Sequence, residues 1–202
     1  MRRAAGIIRR WLGREEASSL AEFAVSLPLL VVLVVGIFDF GGAFNQKQEL
    51  NNAVREGARF GAAQPTNDLC PPAGTTSCNA PPSVDAIRVL VDSYLTAAQL
   101  NDCGLSTLTP PSGTDPVWTY AASGNGCPGQ LTLTIIRGYS PTTSQSCNLQ
   151  TNTTPVVNIP CTQVTISYPY AWHFNSVIQL IAPGSSFALS TITTSATAVN
   201  MD

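Results

Sequence analysis

The stretch ASSLAEFAVSLPLLVVLVVGIFDFGGAF, from Ala17 to Phe44, decides the fold of this 202-residue chain. No charged residue occurs between Phe23 and Phe38. This run is long enough for most of a bilayer crossing, because a helix rises ~1.5 Å per residue. One carboxylate, Glu22, stands at the leading edge. Placing it in hydrocarbon costs roughly 2–3 kcal/mol, so we expect Glu22 to have a function beyond anchoring.

The arginines are distributed unevenly about this apolar segment, although the net charge is only −2. Half of the ten Lys and Arg residues precede it, namely Arg2, Arg3, Arg9, Arg10 and Arg14. The positive-inside rule therefore predicts a single-pass protein of the cytoplasmic membrane, with residues 1–16 as a basic cytoplasmic leader. Everything after residue 44 is expected outside the cytoplasm. No basic patch follows, so nucleic acid is not an expected partner, whereas membrane lipid is.

A helical pattern continues beyond the apolar segment, through residues 45–63. Small and apolar residues recur there at spacings of three and four, and therefore share one face: Leu50, Ala53, Val54, Gly57, Ala58 and Gly61. We expect this small-residue face to pack beside other subunits. Pro65 ends the run, which predicts a single helix of roughly 45 residues. In its membrane half (17–44), Gly36, Gly41 and Gly42 are either contact points for a partner helix or ordinary membrane-helix glycines.

The remaining residues, 64–202, predict an α+β domain. Ser83 is a suitable N-cap for a second helix that extends to about Asn101. Alternating segments rich in β-branched residues predict strands at 131–139, 164–168 and 187–199, and a weaker one at 117–121. Residues 141–155 are expected to form a loop, and residues 174–181 a short helix or a lid. The fold class is thus a long N-terminal helix and a second helix packed on a small antiparallel sheet.

Six cysteines follow the apolar segment: Cys70, Cys78, Cys103, Cys127, Cys147 and Cys161. An even count in an exported domain indicates disulfides, for which fifteen connectivities are possible. We favour the nearest-neighbour set, Cys70–Cys78, Cys103–Cys127 and Cys147–Cys161, because each pair would close a loop. A metal site is the weaker alternative, since CxxC spacing is absent and the chain has one histidine. We expect no cofactor.

Two ionisable residues, His173 and Asp39, have plain structural interpretations. No Ser or Cys motif, paired carboxylates or phosphate-binding loop accompanies His173. We therefore expect a packed or surface histidine, and neither an enzyme nor a small-molecule substrate. Asp39 lies near the far membrane edge, where we expect it to reach water.

Three blocks of sequence resemble the TadE-like family in their order and spacing: AEFAVSLPLL at 21–30, GIFDFG at 36–41 and NAVREGARF at 52–60. The resemblance covers about residues 14–63. Members of that family are membrane-anchored pseudopilins encoded with tight-adherence (Flp) pilus and secretion machinery. The resemblance implies a minor pilin or pseudopilin with a small pilin-like α+β domain. It would act in assembly, through contacts with other pilin-like subunits and the secretion machinery.

Two residue roles follow from the resemblance. Prepilin peptidase cuts such precursors at the cytoplasmic face, five residues before a glutamate. Counting back from Glu22 places the cut between Ala17 and Ser18, with Ala17 where the family usually has Gly. The resemblance also implies that Glu22 neutralises the N-terminal ammonium of an adjacent subunit, so that the two buried charges cost less together than apart.

Two alternatives stay open. The first is a membrane-tethered binding domain or adhesin that never enters a filament, which Ala17 in place of Gly favours. The second is a secretory signal peptide over residues 1–43, cut after the small residues Gly41, Gly42 and Ala43. Against the second, the apolar segment exceeds the usual signal-peptide length and the helical pattern continues past the supposed cut.

Overall fold

A computed structural model describes residues 15–69, 78–109, 111–113, 116–138, 148–150, 158–175, 179, 184 and 190–200. The chain divides into two compact units. One consists of Met1–Gly42 with Trp172–Ala188, and the other of Ala43–Ala171 with Leu189–Asp202.

Helix α1 runs without interruption from Glu15 to Ala62 and contains Pro28. The expected single long helix is confirmed, and it begins a few residues earlier than the apolar pattern indicated. None of its most apolar 18 residues is buried, and the helix is long and apolar enough to cross a membrane. This is consistent with a membrane-anchored protein.

Helix α2 covers Pro82–Ala97 and is shorter than expected. It ends because Gln99 adopts a left-handed conformation (φ 58°), which lets the N–H of Leu100 bond the carbonyl of Leu95 at 2.9 Å. The expected capping by Ser83 is wrong. The residue preceding the helix is Pro81, and the backbone N–H of Ser83 instead donates to Oδ2 of Asp68 at 2.9 Å. A carboxylate fifteen residues upstream thus replaces the local cap.

Seven strands are described: β1 (Cys78–Asn79), β2 (Ser112–Gly113), β3 (Val117–Ala122), β4 (Leu131–Arg137), β5 (Asn148–Gln150), β6 (Asn158–Tyr170) and β7 (Ser190–Val199). β1 pairs with β2. The other five form one antiparallel sheet in the order β3-β4-β6-β5, with β7 also paired to β6. The expected strands correspond to β3, β4, β6 and β7. The expected loop 141–155 is wrong in part, because β5 lies within it and pairs with the first residues of β6.

The hydrophobic core lies between one face of this sheet and the two helices. It contains Leu50, Val54 and Ala58 from α1, Val84, Ile87, Val91 and Leu95 from α2, and Trp118, Leu133, Ile135, Val164 and Ile166 from the sheet. Buried positions alternate with half-buried or exposed ones along β3, and with half-buried ones along β4, as expected for a sheet with one face in the core. The architecture is therefore α+β, as expected.

Of the three expected disulfides, Cys103–Cys127 is present, with a Cα–Cα distance of 5.3 Å. Cys161 is also disulfide-bonded. The other two expected pairs include Cys70 and Cys147, which lie outside the described residues.

Candidate functional site

Glu22 lies on the exposed surface of α1. Its neighbours are apolar and equally open: Leu20 is 69% exposed, Phe23 62% and Val25 79%. A shallow hollow on the helix surface is lined by Glu22 and four small or apolar neighbours, Ala21, Val25, Ser26 and Leu29. The Ser26 hydroxyl is already used, since it donates to the carbonyl of Phe23 at 3.2 Å. The hollow therefore presents one carboxylate among small and apolar neighbours.

The other expected site residues of α1 are placed as follows. Ala17 and Ser18 are helical, and their side chains lie outside the described part. A Cβ at Gly41 would meet nothing within 4 Å, and Gly42 is exposed. A Cβ at Gly36 would lie 3.8 Å from the ring of Phe174. The proposed glycine contacts with a partner helix stay a prediction.

The small-residue face of α1 (Leu50, Ala53, Val54, Gly57, Ala58, Gly61) packs inside its own domain, which corrects the expectation that it packs beside other subunits. Leu50, Ala53, Val54 and Ala58 are each at most 2% exposed. A Cβ at Gly57 would lie 3.0 Å from Cγ2 of Val91 on α2, and one at Gly61 would lie 2.7 Å from Cγ2 of Thr162 on β6. These glycines allow the helix to approach α2 and the sheet closely.

Arg137, at the end of β4, holds the C-terminal end of α1 against the sheet. Its side chain is completely buried. Its guanidinium donates to the carbonyl of Gly61 at 3.2 Å and to that of Pro65 at 3.1 Å. It also bonds the carbonyl of Gln64 and the hydroxyl of Ser83. The Gly61 carbonyl also accepts the N–H of Gln64 at 3.2 Å, so Arg137 adds donors from a strand to the turn that follows the helix.

Asp39 is 5% exposed, so the expectation that it reaches water is wrong. Its Oδ2 accepts the backbone N–H of Phe174 at 2.8 Å, and its Oδ1 lies 3.1 Å from Nδ1 of His173. Beside it, the rings of Phe40 and Trp172 meet edge to face with 5.2 Å between centroids. We call residues 172–174 the WHF turn. The turn covers the carboxylate of Asp39, which lies 134 residues before His173 in the sequence. Local sequence patterns cannot predict a contact over that separation.

A second carboxylate, Asp102, organises the loop that the Cys103–Cys127 disulfide closes. Its oxygens accept bonds from Asn125 at 2.9 Å, from the N–H of Gly104 at 3.1 Å and from the hydroxyl of Ser106 at 2.9 Å. Burial acts to raise the pKa of Asp102, but these hydrogen bonds lower it to about 2. Burial raises the pKa of the nearby Asp92, and the negative charge of Asp102 raises it further. The loop is built around a fixed negative charge.

An open groove of about 600 Å³ lies along the polar side of α1, lined there by Asn52, Arg55 and Arg59 and on its other side by Tyr94 and Thr197. Arg59 pairs with Glu56 at 3.2 Å across one helical turn, so one of the two arginine charges in the groove is balanced. Within the described part of the chain, no three His, Cys, Asp or Glu residues are grouped as a metal site requires. His173 is a surface residue, with a side chain 85% exposed.

Comparison with known proteins identifies one matching family. Residues 17–59 match the family described as TadE-like protein, and the resemblance read from the three blocks is confirmed. This match covers Glu22, Asp39 and most of α1, and it ends before α2 and the sheet. No curated protein and no solved structure matches the chain.

Proposed function

We propose that this protein is a membrane-anchored minor pilin or pseudopilin of a tight-adherence (Flp-type) pilus system. The TadE-like match over residues 17–59 supports a part in such a system. The observation that carries the finer role is Glu22, an exposed carboxylate in the open apolar surface of the matched helix. The protein acts through protein–protein contacts, with no catalysis of its own.

The surface for these contacts is the apolar half of α1. The small-residue face beyond Leu50 is already occupied by α2 and the sheet. Large apolar side chains stay exposed along residues 20–44, and lipid covers them as long as the helix lies in a membrane. In a filament, the equivalent helices of other subunits take the place of lipid, and Glu22 neutralises the terminal ammonium of a neighbour.

The proposed location is the cytoplasmic membrane, with a single pass, the N-terminus in the cytoplasm and the α+β domain outside. Prepilin peptidase is the proposed processing partner, cutting between Ala17 and Ser18. Intact-mass analysis of protein purified from host membranes tests this step. A mature chain that begins at Ser18 is the expected result, and a mass that retains residues 1–17 contradicts processing.

Charge reversal at Glu22 tests assembly separately from insertion. Glu22→Lys should abolish co-purification with pilus subunits while the protein stays in the alkali-resistant membrane fraction. Glu22→Asp, which keeps the carboxylate, should retain part of the assembly. Lys47→Glu is the matched control, because it reverses an exposed charge of the same helix outside the apolar half. Normal piliation by the Glu22→Lys protein would refute the role given to Glu22.

A membrane-tethered binding domain or adhesin is the second candidate, favoured by Ala17 at the position where the family usually has Gly. It predicts that residues 1–17 are retained, and that deletion of the gene leaves pili unchanged while surface binding is lost. Mass analysis combined with pilus imaging of the deletion strain separates the two candidates.

A further inference from the structure

We propose that the WHF turn (Trp172, His173, Phe174) is a second membrane-contacting element, which binds the outer lipid–water interface beside α1. The inference rests on the proposed function in one respect, namely that α1 spans the membrane. It adds a lipid-binding site in a part of the chain that lies far from the apolar segment in sequence and outside the TadE-like match.

The depth of the turn follows from its bonds to Asp39. The helical rise from Glu22 to Asp39 is roughly 26 Å, close to the hydrocarbon thickness of about 30 Å. With Glu22 near one edge of the hydrocarbon, Asp39 therefore lies near the other. The N–H of Phe174 is 2.8 Å from Oδ2 of Asp39 and Nδ1 of His173 is 3.1 Å from Oδ1. These direct bonds place the WHF turn at the same level.

The composition of this level fits the lipid interface. Two aromatic residues of α1 are largely exposed there: Phe38 at 76% and Phe40 at 69%. Trp172 packs edge to face on Phe40, and Phe174 lies beside Gly36. Tryptophan and other aromatic rings concentrate at membrane–water interfaces, where an apolar ring meets hydrated headgroups. The turn thus completes an aromatic band around one end of the apolar helix.

The polar atoms of the turn agree with this assignment. A buried carboxylate facing lipid would be costly without hydrogen-bond donors. The turn provides these donors to Asp39 and leaves the imidazole of His173 85% exposed, in a position to reach headgroups and water. Gly36 completes the fit, because its lack of a side chain leaves room for the Phe174 ring.

Depth-dependent quenching of tryptophan fluorescence tests the proposal. The full chain carries Trp11, Trp118 and Trp172. The Trp11→Phe protein, and the same protein with Trp172→Phe added, are reconstituted in vesicles of phosphatidylcholine and phosphatidylglycerol. The vesicles contain lipid with a nitroxide either near the headgroup or deep in the acyl chain. Trp118 is completely buried in the domain core and serves as the internal reference.

We expect the shallow nitroxide to quench the Trp11→Phe protein at least about twofold more than the deep one, as an interfacial ring requires. Adding Trp172→Phe should remove this quenching. Extraction with alkaline carbonate, done in parallel, reports whether α1 is inserted at all.

Three results would overturn the inference. Quenching of Trp172 by aqueous acrylamide and not by lipid nitroxide, in protein that resists carbonate, would place the turn in water and leave the membrane anchor intact. Protection of Trp172 from both quenchers would show that protein, such as a second copy of the chain, covers the turn. Release of the protein by carbonate would refute the anchor itself, and the inference with it.

Discussion

Replacing Gly61 with alanine tests whether the small-residue face of α1 is buried in its own domain. A Cβ at this position would lie 2.6 Å from Cδ1 of Ile87 and 2.7 Å from Cγ2 of Thr162. Both side chains are completely buried. The hydroxyl of Thr162 donates to Asn200 at 2.8 Å, which holds its methyl group in place. The added methyl group therefore forces a shift in the helix or in the sheet.

The expected cost combines two opposing terms. Overpacking a dense core costs about 1–3 kcal/mol, and replacing glycine by alanine in the last turn of a helix returns at most about 0.5–1 kcal/mol, the value for a helix interior. Gly61→Ala should therefore lower the free energy of unfolding by roughly 1–2 kcal/mol, which lowers the Tm of a domain of this size by roughly 3–10 °C.

Thermal unfolding in detergent, with disulfides intact, measures this loss. The chain carries Trp11→Phe and Trp172→Phe in every variant, so that Trp118 is the one tryptophan that gives the signal. Removing the two opposing methyl groups provides an internal check. Ile87→Val or Thr162→Ser in the Gly61→Ala background should recover part of the loss and show coupling in a double-mutant cycle. Gly41→Ala is the matched control, because its Cβ would meet nothing within 4 Å.

Wild-type stability of the Gly61→Ala protein, with no coupling to Ile87 or Thr162, would refute the reasoning. The small-residue face would then be open, and the original expectation that it packs beside other subunits would return.

Four further predictions concern the α+β domain. Burial raises the pKa of Asp92, so its ionised form destabilises the fold at neutral pH. Asp92→Asn should therefore raise the Tm at pH 7, and this gain should vanish below about pH 4. Asp102 should have the opposite effect, because its hydrogen bonds lower its pKa to about 2. Asp102→Asn should therefore cost about 2 kcal/mol of unfolding free energy at pH 7, and this cost should shrink as the pH falls from about 4 to 2. Equal pH profiles of stability for the Asp92→Asn and Asp102→Asn proteins would contradict both predictions. Replacing Cys103 and Cys127 together by serine should cost about 2–4 kcal/mol in denaturant unfolding, and a variant that unfolds like the wild type would exclude a stabilising role for this bond. Arg137→Met should cost about 3–5 kcal/mol, since it removes a completely buried guanidinium that pairs with Asp68 at 3.5 Å and donates to the carbonyls of Gln64 and Pro65. Chemical denaturation checks it, and a loss below about 1 kcal/mol would mean that water or another group replaces the guanidinium.

Local patterns in the sequence were sufficient for the features that depend on neighbouring residues. The uncharged run from Phe23 to Phe38 indicated the apolar half of α1, and the alternation in residues 131–139 indicated β4, which ends at Arg137. Glu22 was recognisable because a carboxylate in an apolar run is costly, and the family blocks around it gave the same answer.

Long-range contacts explain the failures. The small-residue face indicated that another segment packs closely against α1. The local sequence does not tell whether that segment belongs to another subunit or, as the structure has it, contains Ile87 and Thr162 of the same chain. Asp39 offered no sign that a turn 134 residues away covers it. Serine is a common N-cap residue, which is why Ser83 was expected to cap α2. Asp68 caps the helix instead, and the Ser83 hydroxyl accepts a hydrogen bond from Arg137.

The capture of the α1 terminus by Arg137 has a mechanical consequence. Strand β4, which carries Arg137, lies inside the sheet, between β3 and β6. A pull along the axis of α1 is therefore transmitted through the guanidinium to an interior strand, which both neighbouring strands hold by hydrogen bonds. An edge strand would peel away one bond at a time, whereas an interior strand shares the load among many bonds loaded together. The helix is thus attached to its domain at a point suited to bearing tension.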